Sequence, residues 1–250
     1  MGIKDIFEYY PTGDIKIAEK DNPDTIIDHI LASSEFDDLQ RGVGQSFSAK
    51  FLSELMYSGF YITSATLYRD FPWLNNINKR LGFCPLLNIW KMQTVLFFDK
   101  MHISKSIKRK IKDYQLKVNY NFVNVINSII NYHGRLWISP LKQTLIQLNK
   151  KNYKAKAISF EVYKNGELKA GEIGIQTGKI YTSYSGFIKE TSAGSVQIAM
   201  MLNYLKENDF LFCNFGTDDS PKNNAYKRKF GAEYIDRAVF IDLWRKGREL

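Results

Sequence analysis

Cysteine and histidine are scarce in this chain, which has two cysteines and three histidines in 250 residues. Cys84 and Cys213 are far apart and each lies among apolar residues, so we expect two buried free thiols in a reducing compartment. His29, His102 and His133 have no metal-ligand spacing to one another or to the cysteines. The sequence therefore predicts no metal site.

Long hydrophobic runs are also missing. The chain has no stretch of about eighteen apolar residues, the length that crosses a membrane, and its first ten residues lack the apolar core of a secretory signal. Ile6 stands where an N-myristoylation motif requires serine or threonine. Gly42 and Gly44 fall short of the glycine motifs that bind phosphate and indicate only a turn. We expect a cytoplasmic protein with no membrane partner.

Positive charge is in excess: the formal net charge is +9 and the pI is about 9.3. Hydrophobic residues make up 44% of the chain and aromatic residues 14%, which is typical of a globular rather than a disordered protein. The charge favours an acidic partner such as nucleic acid or an anionic membrane surface. A genome of low GC content, which enriches lysine and asparagine, is the alternative explanation.

The charge is concentrated between Met101 and Tyr120. Five cations fall within eight residues: Lys105, Lys108, Arg109, Lys110 and Lys112. Isoleucines at 103, 107 and 111 recur every fourth position, and Ser104 can cap a helix start. The pattern predicts a short helix that buries isoleucines and turns cations outward. Its outer face is either simply solvated or a surface that binds a polyanion.

Helical signals dominate the first part of the chain. Caps and apolar stripes predict helices after Asn22-Pro23, between Ser48 and Gly59, from Phe122 to Ile130, and after Ser139-Pro140. The stretch from Leu67 to Leu87 contains prolines at 72 and 85 and is predicted to be an irregular connection.

Strand signals dominate the second part. A three-strand meander is predicted from Ala155, with turns at Asn165-Gly166 and Thr177-Gly178. Further predictions are a helix over 193–207, a buried strand in 210–215, a helix over 225–230 and a last strand from Tyr234 to Leu243. This interleaving indicates an α/β or α+β fold rather than a helical bundle.

Several segments resemble leucyl/phenylalanyl-tRNA–protein transferases. They are GVGQSFSAKFLSELMYSGFY, HISKSIKR, KVNYNFVNVI, Leu136-Trp137-Ile138-Ser139, SFEVY and FGAEYIDR, in the family's order across about residues 40–243. The resemblance implies a small N-terminal domain, residues 1–85, followed by a GNAT-like acyltransferase domain, residues 86–250, with a mixed, largely antiparallel sheet flanked by helices. The ending FCNFGTDDSPKNNAYKRKFGAE is also similar to the Fem-like branch, which shares the fold and the tRNA-borne donor.

The resemblance implies transfer of an amino acid of the leucine or phenylalanine type from charged tRNA to the N-terminus of an acceptor protein, which marks that protein for degradation. The implied tRNA-binding residues are Lys105, Lys108, Arg109 and Lys110, and the implied substrate-binding residues are Trp137, Ser159, Ser185 and Phe187. Trp137 and Phe187 would stack the terminal adenine or line an amino-acid pocket; the alternative is that both are core aromatics.

Two segments that carry catalytic residues in the family depart from its pattern. Its Gly-Glu-Ser-Met-Phe stretch corresponds to 183–187, so Tyr184 replaces the glutamate. Its Ile-Asp-Cys-Gln strand corresponds to 211–214, so Phe212 replaces the aspartate and Asn214 the glutamine. About a tenth of an α-amine is neutral at pH 7, whereas losing a base that acts in the transition state costs roughly 10²–10⁴ in rate. A transferase without the aspartate is therefore slow unless another group substitutes.

Four residues are candidates for catalysis: Asn214, Tyr184, Glu161 and Asp218. Asp218 follows a strand end, where site residues often lie, but with Asp219 it can also form a turn before Ser220-Pro221. Tyr184 can donate to an oxyanion or simply pack. Glu161 lies between apolar neighbours, where an inward carboxylate must be paired or used; facing outward, it is a surface charge.

The expected partners are aminoacyl-tRNA as a co-substrate and the N-terminus of an acceptor protein or peptide, with no cofactor and a monomeric enzyme. Two alternatives remain. A non-catalytic tRNA- or degron-binding relative would explain the lost carboxylates. A Fem-like or acetyl-CoA-dependent acyltransferase would use another acceptor or donor, although the sequence lacks the pyrophosphate loop that acetyl-CoA binding requires.

Overall fold

The computed structural model describes residues 15–32, 41–66, 83–134, 137–217 and 226–250. The strands are β1 Ile15–Ile17, β2 Arg41–Gly44, β3 Tyr61–Thr66, β4 Phe83–Asn88, β5 Met92–Phe97, β6 Gln115–Val118, β7 Ala155–Lys164, β8 Glu167–Thr177, β9 Ile180–Ile188, β10 Phe212–Asn214 and β11 Glu233–Asp236. The helices are α1 Pro23–Ala32, α2 Ala49–Ser58, α3 Lys105–Ile111, α4 Phe122–His133, α5 Lys142–Lys150, α6 Ala193–Glu207 and α7 Arg237–Arg248.

Local signals produce most of the helices. The Ser48 hydroxyl accepts from the N–H of Phe51 at 3.3 Å at the start of α2, and Gly59 ends that helix with φ +112°, a conformation that favours glycine. Ser104 caps α3 and Asn121 caps α4 in the same way. These predicted helices are confirmed.

The N-terminal unit contains a four-stranded sheet in the order β1-β2-β4-β3. The predicted irregular connection is wrong at its end, because residues 83–88 form β4; residues 67–82 lie outside the described part of the chain. Pro85 lies just beyond Leu86, the last β4 residue that pairs with β2. Its missing N–H therefore removes no ladder hydrogen bond to β2.

The C-terminal unit contains a seven-stranded sheet in the order β11-β5-β10-β9-β8-β7-β6. Its neighbouring strands are antiparallel except for the parallel pair β9 and β10. Helix α6 packs on one face and helices α4 and α5 pack on the other. This mixed, largely antiparallel sheet flanked by helices confirms the predicted α/β class.

The three-strand meander is confirmed as β7, β8 and β9. Its first turn has positive φ at Asn165 (52°) and Gly166 (78°), which is what the Asn-Gly pair predicted. Strand β9 carries a bulge: Ile173 pairs with Ser185 and Gly174 with Ser183, so Tyr184 is the extra residue. The bulge sets the direction of Tyr184, as described below.

Two predicted elements have different bounds in the structure. The last strand ends at Asp236, not Leu243, because the Asp236 carboxylate accepts from the N–H of Ala238 at 2.8 Å and begins α7. Helix α5 starts at Lys142 without a side-chain cap, two residues after the predicted Ser139-Pro140 start. The helix predicted over 225–230 is confirmed where it is described: residues 226–228 are helical and a turn follows before Gly231, while residue 225 lies outside the described residues.

One hydrophobic core joins the two units. It combines Ile62 and Leu87 of the first sheet with Ile173 and Ile175 of the second. The predicted boundary between residues 85 and 86 falls inside β4, and the first sheet ends at Asn88. A division into domains at that point remains a prediction.

Candidate functional site

A cavity of about 740 Å³ opens where β9 and β10 separate. The two strands pair in parallel from Ile180–Phe212 to Thr182–Asn214, after which β10 ends and β9 continues. Residues 183–188 line one side of the opening, and Phe215 lines the other. Crevices at the carboxyl ends of parallel strands are common ligand sites.

Tyr184 forms part of the cavity wall. As the bulged residue of β9, it turns its ring onto Tyr61, with centroids 4.4 Å apart and planes 16° from parallel. Its Oη accepts from the N–H of Ile62 at 3.0 Å. Burial raises the pKa of Tyr184, and the N–H bond offsets this only in part. The hydroxyl therefore stays protonated and can still donate one hydrogen bond.

Asn214 lies at the end of β10, below the cavity rather than in its lining. It is buried, and its Oδ1 accepts from the N–H of Gly216 at 2.9 Å. Asn214 and Tyr184 border the same small void. Among the described residues, no carboxylate forms a hydrogen bond with either side chain; Asp218 lies outside them.

Glu161 and Ser159 are not brought to this cavity. Both are fully buried, and Glu161 accepts from the N–H of Asn121 at 2.7 Å, the Ser159 hydroxyl at 2.9 Å and the Tyr163 hydroxyl at 3.0 Å. Burial and the bond to Glu161 raise the pKa of Tyr163 to about 12. These contacts anchor the turn that begins α4.

The three other predicted substrate-binding residues, Trp137, Ser185 and Phe187, all line the cavity. The ring of Trp137 lies 6.1 Å from that of Tyr184, and its carbonyl accepts from the Ser64 hydroxyl at 2.5 Å. The structure therefore gathers aromatic rings and hydroxyl groups from both units around one opening.

The sequence interpretation missed Glu172. This residue of β8 is 5% exposed and lines the cavity. It accepts from the Tyr181 hydroxyl at 3.1 Å and from Nε2 of Gln197 at 3.2 Å. Burial raises the pKa of its carboxyl group and outweighs the opposing hydrogen bonds and the nearby charge of Lys227. The signal available in the sequence was a single acidic residue inside the apolar, glycine-rich run of β8.

Helix α3, called the basic helix below, reaches the cavity rim. Lys105, Lys108, Arg109 and Lys110 are all exposed on it, while Ile103 is buried and packs against the core with Ile107 and Ile111. Nζ of Lys110 donates to Oγ of Ser192 at 2.7 Å. Ser192 precedes α6 and lines the cavity, so the predicted cationic face and the cavity form one continuous surface.

Within the part of the chain that the structure describes, no three histidine, cysteine, aspartate or glutamate side chains are grouped so that they could hold a metal ion. Nor does any described helix have the length and apolar character needed to cross a membrane.

A family model described as leucyl/phenylalanyl-tRNA protein transferase matches residues 95–245. The leucyl/phenylalanyl-tRNA–protein transferase of Campylobacter lari is 28% identical over 197 residues, 78% of this chain and 84% of that protein. The one from Stutzerimonas stutzeri is 27% identical over 178 residues, 69% of this chain and 73% of that protein.

Solved structures similar to the chain include FemX, with a TM-score of 0.44 and 9% identity, covering 92% of this chain and 81% of that one. The C-terminal domain of a putative lysylphosphatidylglycerol synthetase from Agrobacterium fabrum has a TM-score of 0.45 and 12% identity, with the same coverage. Scores this low carry no inference about the chemistry of the present chain.

Proposed function

Because the chain belongs to the leucyl/phenylalanyl-tRNA protein transferase family, we propose that it moves an amino acid from aminoacyl-tRNA to the N-terminal α-amine of an acceptor protein. The observation that carries this proposal is the contact between Lys110 and Ser192, which joins the basic helix to the cavity. The cations would hold tRNA phosphates while the aminoacylated end enters between β9 and β10.

The reaction is the aminolysis of a ribose ester. The α-amine attacks the ester carbonyl, a C–N bond forms, the C–O bond to the ribose breaks, and a proton passes from nitrogen to the ribose oxygen. No cofactor is needed because the ester is already activated. The protonated Tyr184 hydroxyl is the group in the cavity wall that would donate to the developing oxyanion. Asn214 would act indirectly, by fixing the end of β10.

Holding the two substrates in position would supply much of the rate enhancement. About a tenth of an α-amine is neutral at pH 7 without any base, and holding the amine against the ester replaces a bimolecular encounter. Aromatic lining residues such as Trp137 and Phe187 would hold the terminal adenine by stacking, which contributes about 1–3 kcal/mol per base. Tagging of acceptors for degradation follows from the same proposal.

The direct test is transfer of labelled amino acids from charged tRNA to a peptide with N-terminal arginine or lysine. We expect the product to carry the label in an amide bond. The same peptide with an acetylated N-terminus should accept none, because it offers no α-amine. Absence of transfer from every charged tRNA would contradict catalysis.

Binding of charged tRNA without transfer is the second candidate function. It is favoured by one observation: the polar groups at two of the three changed positions already accept hydrogen bonds, Tyr184 from the N–H of Ile62 and Asn214 from that of Gly216. Stable binding of aminoacyl-tRNA with no turnover would support this function over catalysis.

A further inference from the structure

Glu172 is the one carboxylate among the described residues that line the cavity. It lies on β8 directly opposite Gly186 of β9. A Cβ on Gly186 would lie 3.5 Å from the Cβ of Glu172, so a larger side chain there would cover the carboxylate. Gly186 stands where the family stretch has methionine. Glycine at this position leaves Glu172 accessible from the cavity.

Three hydrogen bonds hold the Glu172 carboxylate in place, and the nearby charge of Lys227 compensates only part of the cost of its burial. Tyr181 and Gln197 donate to its two oxygens, and the Ser183 hydroxyl also bonds to it. All three donors are uncharged. A carboxylate has about four acceptor sites, so these three bonds leave capacity for one more donor.

A close approach of two strands fixes this geometry. A Cβ on Gly174 would overlap the ring and hydroxyl of Tyr181. Glycine at this position therefore lets the Tyr181 side chain cross β8 and reach Glu172. The Glu172 carboxylate and the Tyr181 hydroxyl that donates to it therefore meet on the α6 side of the sheet.

Lys227 is a second charged group among the described residues of the lining. It is buried and its Nζ donates to the carbonyl of Phe215 at 3.0 Å, beyond the end of β10. His133 also lines the cavity, with Nε2 2.7 Å from the carbonyl of Gly186. The charge of Lys227 also acts on Glu172, yet burial still outweighs it. Glu172 is thus the acceptor that faces an entering side chain from β8, and a further cationic group would compensate the rest of its charge.

Glu172 is only 5% exposed, and a leucine or phenylalanine side chain placed against it would close that remaining access and return no hydrogen bond. Burying a polar group without a partner is unfavourable, and more so for an ionised one. A site built to hydrogen-bond a substrate group discriminates strongly against an analogue that lacks the group. The lining is therefore poorly matched to purely apolar side chains.

We propose that Glu172 selects donors whose side chain ends in a cationic nitrogen, such as a lysyl or arginyl group, over leucyl and phenylalanyl donors. The proposal rests on the function proposed above, since it assigns the side chain that the same cavity takes. Glu172 acts here as a specificity-determining residue, and the bond it forms is a charge-assisted hydrogen bond.

The test uses the whole protein and non-hydrolysable analogues of the charged tRNA end, in which 3′-amino-3′-deoxyadenosine is linked by an amide to lysine, norleucine or leucine. Norleucine has the four-carbon chain of lysine without the ammonium group, so the pair isolates the nitrogen. We expect calorimetry to give a dissociation constant roughly 10- to 100-fold lower for the lysyl than for the norleucyl analogue.

In the Glu172→Gln variant, the ratio of the norleucyl to the lysyl dissociation constant should fall about tenfold. The amide keeps the size of the carboxylate but not its charge. Glu161→Gln is the matched control: Glu161 is equally buried but lies outside the cavity, so the ratio should stay as in the unsubstituted protein. The comparison of analogues in the unsubstituted protein decides the question even if a variant fails to fold.

Each outcome has a defined consequence. Equal or tighter binding of the norleucyl and leucyl analogues overturns the assigned selectivity and leaves the proposed function standing. A lysyl preference that survives Glu172→Gln overturns the role of Glu172. No binding of any analogue overturns the proposed function itself, and the selectivity with it.

Discussion

Glu161 and Glu172 are buried carboxylates on neighbouring strands with opposite roles in the structure. Glu161 faces the start of α4 and is satisfied by Asn121 and two hydroxyl groups. Glu172 faces α6, accepts from Gln197 and borders the cavity. Residue type and apolar neighbours are the same in both cases. The face of the sheet determines which one can meet a substrate.

The buried state of Glu172 leads to a dependence of stability on pH. Burial raises its pKa above the ordinary value of 4.5, so the folded protein holds this proton more tightly than the unfolded chain does. The contribution of Glu172 to the free energy of unfolding therefore falls as pH rises above about 4.5. Glu172→Gln does not titrate, so its stability relative to the unsubstituted protein should improve between pH 4 and pH 7.

Urea denaturation at several pH values measures this difference. Glu190→Gln provides a control of opposite sign, because hydrogen bonds from Tyr114 and Lys164 hold the pKa of Glu190 below its usual range. That variant should lose relative stability over the same pH interval. If the difference in free energy of unfolding between Glu172→Gln and the unsubstituted protein did not change with pH, the raised pKa assigned to Glu172 would be wrong.

At the scale of elements, the seven residues of the basic helix present two different faces, one apolar and one cationic. Its isoleucines pack against the core and leave four cations exposed. None of these four cations is used in an ion pair with a described carboxylate, although Lys110 bonds to Ser192. A helix held by its apolar side with uncompensated charge outside is well suited to phosphate contacts.

Charge reversal on this helix should weaken tRNA binding. For the double variant Lys108→Glu, Arg109→Glu, we expect weaker tRNA binding. The slope of log K against the logarithm of the salt concentration should also become less steep by about 2, because two phosphate contacts are lost. Filter binding at several salt concentrations measures both.

A matched control changes the same net charge on another element. Lys150 and Lys151 are exposed at the end of α5, and reversing both should leave the salt slope close to that of the unsubstituted protein. Equal losses in the two double variants would show that only net charge matters, against a specific role for the basic helix.

At the scale of the whole molecule, α7 connects the C-terminal end of the chain to the N-terminal unit. Arg248 makes two bonds to the Asp24 carboxylate, at 2.7 and 3.0 Å, and its guanidinium lies 4.7 Å from the centre of the Tyr57 ring. Nε1 of Trp244 donates to the carbonyl of Tyr57 at 2.9 Å. These contacts hold α1 and α2 against the sheet that carries the cavity.

Removing the Arg248 side chain should therefore weaken the contact between α7 and the N-terminal unit. We expect Arg248→Ala to lower the free energy of unfolding by about 1 kcal/mol, after allowing for solvent screening at the partly exposed Asp24. Burial raises the pKa of Asp24, but the bonds and charge of Arg248 outweigh it and lower the pKa below 3.8. The pair is therefore complete above about pH 4 and is lost as pH falls through the lowered value.

Denaturation of the variant at pH 7 and at pH 2–3 measures this loss, which should shrink at the lower pH. Lys246→Ala is the control on the same helix, because its pair with Asp242 is exposed on both sides and contributes only a few tenths of a kcal/mol. A loss for Arg248→Ala no larger than the control's would contradict the role assigned to this contact.

The sequence by itself determined the local elements whose signals lie within a few residues. Ser48, Ser104 and Asn121 cap helices, Asn165-Gly166 turns a hairpin, and the isoleucine spacing places the cations of the basic helix outside. Where a local signal was ambiguous, the prediction was wrong: the pattern after Asp236 fitted a strand as well as a helix, and only the packing of Phe240 and Trp244 in the core selects the helix.

Only the tertiary structure decided the composition of the candidate site. Alternation along a strand predicts two faces but not which of them borders a cavity, so Glu161 was favoured over Glu172. The extra residue in β9 reorients Tyr184, and the early end of β10 opens the space above Asn214. Both features depend on pairing between segments that are distant in sequence, and such pairing leaves no local pattern. The basic helix was therefore predictable from its own residues, whereas the cavity beside it was not.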